Sequence, residues 1–281
     1  MKKTLALVLV LIMMLSLVAC GGGGDTEAKD RLAQIQEKGY IEMATEPYFA
    51  PYEFIDPSLE GDAQYVGADI ELAKYIAEKI GVELKIVPLE YSAVLTGITE
   101  GKYDLAISAI AYSPAREEAM NLSDGYYFGG EEESDGYGWI CRAEDVDKYP
   151  TIESLADAIV ITQSGSVQEA IMNEQVTEAK EYKLIATMTD AYLAVAEGIA
   201  DVCICDRGSA EIYAQANGGL AVTDYVFEVD PLMNSVVCAM PYNDTETLEA
   251  VVNEAIAELI AEGQIDAWFN EYEDYAKSLG L

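Results

Sequence analysis

Asp69-Ile70-Glu71-Leu72-Ala73-Lys74-Tyr75-Ile76-Ala77-Glu78-Lys79-Ile80-Gly81-Val82-Glu83-Leu84-Lys85-Ile86-Val87-Pro88 changes its hydrophobic period halfway along. Ile70, Leu72, Ala73, Ile76, Ala77 and Ile80 recur at helical spacing, and Gly81 stops the run. Val82 to Val87 then alternates apolar and polar residues, the period of a half-buried strand, until Pro88 ends it. The flanks extend the pattern. Asp30 to Lys38 reads as a short helix closed by Gly39, and Tyr40 to Thr45 as a strand. Ala93 to Glu100 reads as a helix stopped by Gly101, and Asp104 to Ser108 as a short apolar strand. Strand, helix, strand, helix, strand specifies a parallel sheet with helices on its faces.

The alternation breaks at Gly125 to Gly138, which is rich in glycine and acid and has no helical period. That stretch reads as a crossover between lobes. A second alternation comes after it: a strand at Ile159 to Ile161, a helix from Val167, a strand at Lys183 to Ile185, a helix near Asp190 to Glu197 and a strand at Asp201 to Ile204. Ser235 to Met240 reads as a further strand, and Glu246 to Ala261 as a long amphipathic helix. The expected fold is α/β, with two open sheets in two lobes. Residues 31–130 with 238–281 form lobe 1, and residues 131–237 form lobe 2, joined by two crossings. Ligands of open α/β sheets bind beyond the carboxyl ends of the strands. Here that places the site in the cleft between the lobes.

Ahead of both lobes stands Lys2-Lys3, then an apolar run from Leu5 to Val18 broken only by Ser16. A basic start and a short apolar core make an export signal over residues 1–19, too short for a stable span. Leu17-Val18-Ala19-Cys20-Gly21 resembles the bacterial lipobox. The resemblance implies that Cys20 becomes a lipidated N-terminus on the outer face of the cell membrane, where two or more acyl chains anchor durably. Gly21 to Gly24 and the polar residues after them read as a tether over residues 20–30.

About 260 of the 281 residues remain after the signal, enough for two ordinary domains. The chain carries 16 Lys and Arg against 51 Asp and Glu, a formal charge of −35. Such a surface repels nucleic acid and anionic head groups. There is no histidine among the residues and no Cys-x-x-Cys pair, so no metal site is expected. Cys203 and Cys205 fall on one strand face, about 7 Å apart and parallel, unsuited to bridging each other. The small buried thiol is the ordinary reading for these and for Cys141 and Cys238.

Gly67-Ala68-Asp69-Ile70-Glu71-Leu72-Ala73-Lys74 resembles the signature of the family 3 bacterial extracellular solute-binding proteins, with Ala68 where that family usually has a larger residue. The likeness continues in order. Thr45 to Phe54 matches the first loop, Gly101 to Asp104 the turn before the third strand, and Ser113-Pro114-Ala115-Arg116 the Thr-x-x-Arg turn. Leu122 to Tyr127, Ser164 to Glu169 and Gly198 to Asp206 extend it. The resemblance implies the two-lobed type II periplasmic-binding-protein fold and the capture subunit of an amino-acid ABC importer. It further implies a monomer that delivers to permease subunits, without cofactor or catalytic residues.

A zwitterionic amino acid needs one cationic partner, one anionic partner and hydrogen bonds for its remaining polar groups. By resemblance, Arg116 takes the α-carboxylate with its planar fork, helped by the Ala111 N–H and by Ser166 and Val167 at a helix start. Asp206 takes the α-ammonium with the Ala109 carbonyl. Phe49 and Tyr91 flank the ligand side chain, and Glu46 favours a polar or cationic one. Gln163, Gln168 and Tyr48 stand near enough to join them. The residues alone leave ordinary readings open: Arg116 as a surface arginine beside Glu117 and Glu118, Asp206 as a strand-end cap or a partner of Arg207, Glu46 as a loop acid. Two other functions fit the fold: an amino-acid sensor for a signalling partner, and a dehydratase, which would need a placed acid or base.

Overall fold

A computed structural model describes residues 30–128 and 136–280. The signal, Cys20 and the tether up to residue 29 lie outside the described residues, as does the centre of the expected crossover.

The chain opens with α1 (Arg31–Lys38), capped by the Asp30 carboxylate and closed by left-handed Gly39, and turns into β1 (Tyr40–Thr45). A small hairpin, β2 (Phe54–Ile55) and β3 (Tyr65–Val66), carries the first loop. The signature forms α2 (Ala68–Ile80), and β4 (Glu83–Pro88), α3 (Tyr91–Thr99) and β5 (Leu105–Ala106) succeed it. Next come the short α4 (Pro114–Ala119) and the long strand β6 (Asn121–Phe128). The second lobe runs through β7 (Tyr137–Arg142), β8 (Ile159–Gln163), α5 (Val167–Gln175), β9 (Glu181–Ile185), α6 (Met188–Ala196), β10 (Val202–Asp206), α7 (Arg207–Asn217) and β11 (Leu220–Val222). The chain returns in β12 (Ser235–Met240) and ends with α8 (Glu246–Glu262) and α9 (Gln264–Leu279).

Two five-stranded sheets result, ordered β4-β1-β5-β12-β6 and β11-β7-β10-β8-β9. β1 pairs parallel with β4 and β5, and β8 pairs parallel with β9 and β10. β12 lies antiparallel between β5 and β6. The whole of β12 thus belongs to the first sheet, and the return crossing lies ahead of Ser235 rather than between residues 237 and 238. Gly125 to Phe128, expected in the outward crossover, extends β6 along β12.

Strand alternation divides each core in two. Ile41 and Met43 meet α2 and α8 through Ile70, Ile76, Val252 and Ile256, whereas Ala44 and Ala106 meet α3 through Val94 and Ile98. In the second sheet Val202 and Ile204 pack under Trp139 and α5, while Cys203 and Cys205 face α6 and α7. Each fully buried aliphatic side chain contributes about 1.5–3 kcal/mol. Cys141, Cys203, Cys205 and Cys238 are buried and free.

Candidate functional site

The cleft is built from residues at, or just beyond, the carboxyl ends of the central strands. Glu46 comes directly after β1, Ala109 lies three residues past β5, Ser166 and Val167 come shortly after β8, and Asp206 ends β10. A cavity of about 200 Å³ lies between the lobes, walled by Phe49, Tyr91, Ala109, Ala111, Val167 and Asp206. A narrow extension of about 30 Å³ is walled by Glu46, Ser166 and Gln163 and shares Phe49, Tyr91, Ala109 and Gln168 with the main cavity.

Arg116 sits in α4, whose N-cap Ser113 accepts the Arg116 N–H. The helix starts where Pro114 is tolerated at its first turn, and this aims the arginine inward, where it is 8% exposed. Nη1 donates to the Ala111 carbonyl at 2.5 Å, and Nη2 donates to the Tyr91 hydroxyl at 3.1 Å and to the Gly165 carbonyl at 3.1 Å. The Tyr91 ring lies 5.8 Å from the guanidinium carbon. Arg116 is therefore a buried cation that joins the lobes, not a surface arginine. Thr189, on α6, also spans the gap by donating to the Tyr48 carbonyl at 3.2 Å.

Ser166 caps α5, accepting the Glu169 N–H at 3.1 Å while donating to the Gln163 carbonyl at 2.7 Å. The first N–H groups of α5 thus open beside the cavity, a favourable place for a carboxylate. Asp206 caps α7 by accepting the Ser209 N–H at 2.8 Å. It serves as both a strand-end cap and a cleft carboxylate. Arg207 donates to the Thr223 and Tyr225 carbonyls. Burial first, then the Asp206 charge, pushes the phenols of Tyr52 and Tyr137 up.

Glu46 is 2% exposed, so it is no loop acid in water. Its N–H donates to Ser108 Oγ at 2.9 Å, and its Oε1 is buried without a partner. Burial raises its carboxyl from 4.5 to about 8, the Asp190 charge adds to the rise, and the Gln163 side chain opposes it. An acid held neutral beside a narrow polar extension is suited to ionise when a cation arrives. Phe49 stacks on Tyr52 with centroids 5.7 Å apart, which fixes its ring at the junction of cavity and extension.

Gln163 and Gln168 line the site, but Tyr48 points outward and is half exposed. Sequence reasoning did not single out Glu53, Ser108 and Met188 in the extension, or Tyr127, Asn234 and Phe269 in the main wall. Glu53 and Tyr127 lie within the segments that carry the family resemblance. Met188, Asn234 and Phe269 carry no local signal.

The profile of the bacterial extracellular solute-binding proteins, family 3, matches residues 41–274. Arginine-binding extracellular protein ArtP of Bacillus subtilis is 29% identical over 171 residues, 60% of this chain and 58% of that protein. A probable histidine-binding protein of Campylobacter jejuni is 24% identical over 282 residues, 97% of this chain and 99% of that protein. Among solved structures, an amino acid ABC transporter substrate-binding protein from Streptococcus pneumoniae, bound to L-arginine, superposes with a TM-score of 0.78. It is 30% identical, over 88% of this chain and 98% of that one.

Proposed function

The chain belongs to the bacterial extracellular solute-binding proteins of family 3, and from that premise we propose that it captures one free L-amino acid, polar or cationic, for an ABC importer. The observation that carries this reading is a buried cation and a carboxylate set by different lobes at one small cavity. Asp206, of the second lobe, lines it, and Arg116, of the first, is hydrogen-bonded to the wall residues Ala111 and Tyr91 rather than lining the cavity itself. An α-carboxylate seated on the Arg116 fork and the α5 N-terminus, with its α-ammonium on Asp206 and the Ala109 carbonyl, touches both lobes at once. The ligand then favours the closed arrangement in proportion to its extra contacts there. The side chain runs between Phe49 and Tyr91 towards Glu46. Binding is non-enzymatic in this reading, and the charged groups at hand are used to hold a zwitterion.

The protein works as a monomer, anchored to the outer face of the cell membrane through a lipidated Cys20, and passes its ligand to permease subunits. Titration calorimetry with L-arginine, L-glutamine and L-glutamate tests the ligand class. Arginine or glutamine is expected to bind at least about tenfold tighter than glutamate, because Glu46 can ionise against a guanidinium or accept from an amide, whereas a second carboxylate would lie desolvated in the extension with no cation to offset it. Tighter glutamate binding overturns the ligand class. No thermal shift with any amino acid overturns the function, because a ligand at about 100 times its Kd adds roughly 2.7 kcal/mol.

A further inference from the structure

The signature that begins α2 touches the cleft wall from behind. Gly67 has φ +131°, and a Cβ there would stand 2.1 Å from the Tyr52 carbonyl oxygen. Glycine lets the start of α2 close against the first loop, where the Asp69 N–H donates to that carbonyl at 2.9 Å. The Asp69 side chain is fully buried. Its Oδ1 accepts the Tyr126 hydroxyl at 2.7 Å and its Oδ2 accepts the Ala109 N–H at 2.8 Å. Ala109 lines both parts of the cavity and has φ 45°, a left-handed conformation that a residue with a Cβ rarely adopts unaided.

Glu53 completes the arrangement. It is 1% exposed, and its Oε1 accepts the Ser108 hydroxyl at 3.1 Å. Its Oε2 meets no N–H or O–H donor, and the acid beside it is Asp69. Two ionised carboxylates cannot share such a dry site. Burial and the Asp69 charge push the Glu53 carboxyl well up. A proton on Glu53 would remove the second charge and give Oε2, which has no partner, a hydrogen to share with Asp69.

We infer that Asp69 is a positioning residue: with Glu53 and Tyr126 it clamps the Ala109 peptide in its left-handed form and so presents the Ala109 carbonyl to the α-ammonium of the ligand. Asp69 need not touch the ligand. This inference rests on the amino-acid reading of the cleft, and it gives the signature motif a task in recognition.

The test compares L-arginine with 5-guanidinopentanoic acid, the same molecule without its α-ammonium, by calorimetry on the full chain. Where glutamine is the better ligand, L-glutamine and glutaramic acid form the equivalent pair. Asp69→Asn, which can no longer accept from all its donors, is expected to weaken the amino acid at least about tenfold and the deamino acid less than about threefold. Glu53→Ala should lose the same selectivity. Glu53→Gln should recover it, because a neutral amide both donates to Asp69 and accepts from Ser108. Equal weakening of both probes by Asp69→Asn, or of neither, overturns the inference. Should Asp69→Asn fail to fold, an equal probe ratio in Glu53→Gln and Glu53→Ala overturns it alone. A wild type that binds no amino acid defeats the cleft reading and the inference together, whereas a wild type that binds normally confines any failure to the inference.

Discussion

The Arg116 guanidinium donates to the Gly165 carbonyl across the cleft at 3.1 Å. Gly165 has φ +80°, and a Cβ at that position would meet the Ser92 Cα at 3.4 Å, so the lobes come together closely here. The same arginine that suits an α-carboxylate therefore also helps to close the lobes. In the proposed site a ligand carboxylate beside it would compensate a cation that is already out of water, which would make the arginine sensitive to truncation.

Arg116→Ala is expected to weaken amino-acid binding by roughly 30-fold to several thousand-fold, the cost of removing one member of a desolvated charge pair. Asp206→Asn should do the same while keeping the α7 cap, because asparagine caps about as well as aspartate. Calorimetry gives the affinity and a thermal melt gives the stability. An affinity within threefold of wild type for either variant would remove that residue from the site.

Glu46 predicts opposite effects on stability and on recognition. Its carboxyl is raised to about 8 in the folded protein, against an ordinary value of 4.5. The folded state therefore holds the proton more tightly. Stability is greatest below pH 4.5 and falls as pH rises towards about 8. At pH 7 the cost is on the order of 3 kcal/mol. Glu46→Gln should recover much of it in ligand-free melts at pH 7 and little at pH 4. A cationic ligand that reaches Glu46, by contrast, is expected to ionise it and release a proton. Arginine affinity should then rise between pH 6 and 8, at most about tenfold per unit, while glutamine affinity stays flat. Parallel pH profiles for the two ligands would show that the side chain does not reach Glu46.

Gly67→Ala is expected to destabilise the fold by at least about 3 kcal/mol, because a backbone oxygen stands where the Cβ must go and the φ is unfavourable. Urea denaturation reads the change. A midpoint equal to wild type would show that α2 shifts away from the first loop at little cost.

Cys20→Ser should release the protein from the membrane or leave it unprocessed, and a metabolic fatty-acid probe should label the wild type and miss the variant. Equal labelling of both would reject lipid attachment at Cys20.

Much of the architecture was legible because its signals are local. β1 and β12 occupy Tyr40 to Thr45 and Ser235 to Met240, the spans that alternation and β-branched content indicate. Two helices were not legible. α7 begins at the residue after Asp206, so one aspartate ends a strand, caps a helix and faces the cleft. α9 joins α8 through Gly263 alone, and its Tyr272 and Tyr275 pack on Phe54 from the distant first loop.

The sequence by itself determined two β-α-β lobes and a cleft at the strand ends, because period, glycine stops and helix caps act within a few positions; Glu46, Arg116 and Asp206 were singled out by the family resemblance, not by local pattern. Tertiary structure alone decided that Arg116 and Glu46 are buried, that Phe49 stacks on Tyr52, and that Asp69, Glu53 and Tyr126 meet behind Ala109. Asp69 and Tyr126 stand 57 positions apart in the chain. Nothing local sets such a meeting; it results from the packing of α2 and β6 on one sheet, which removes the water that would otherwise have solvated each acid alone.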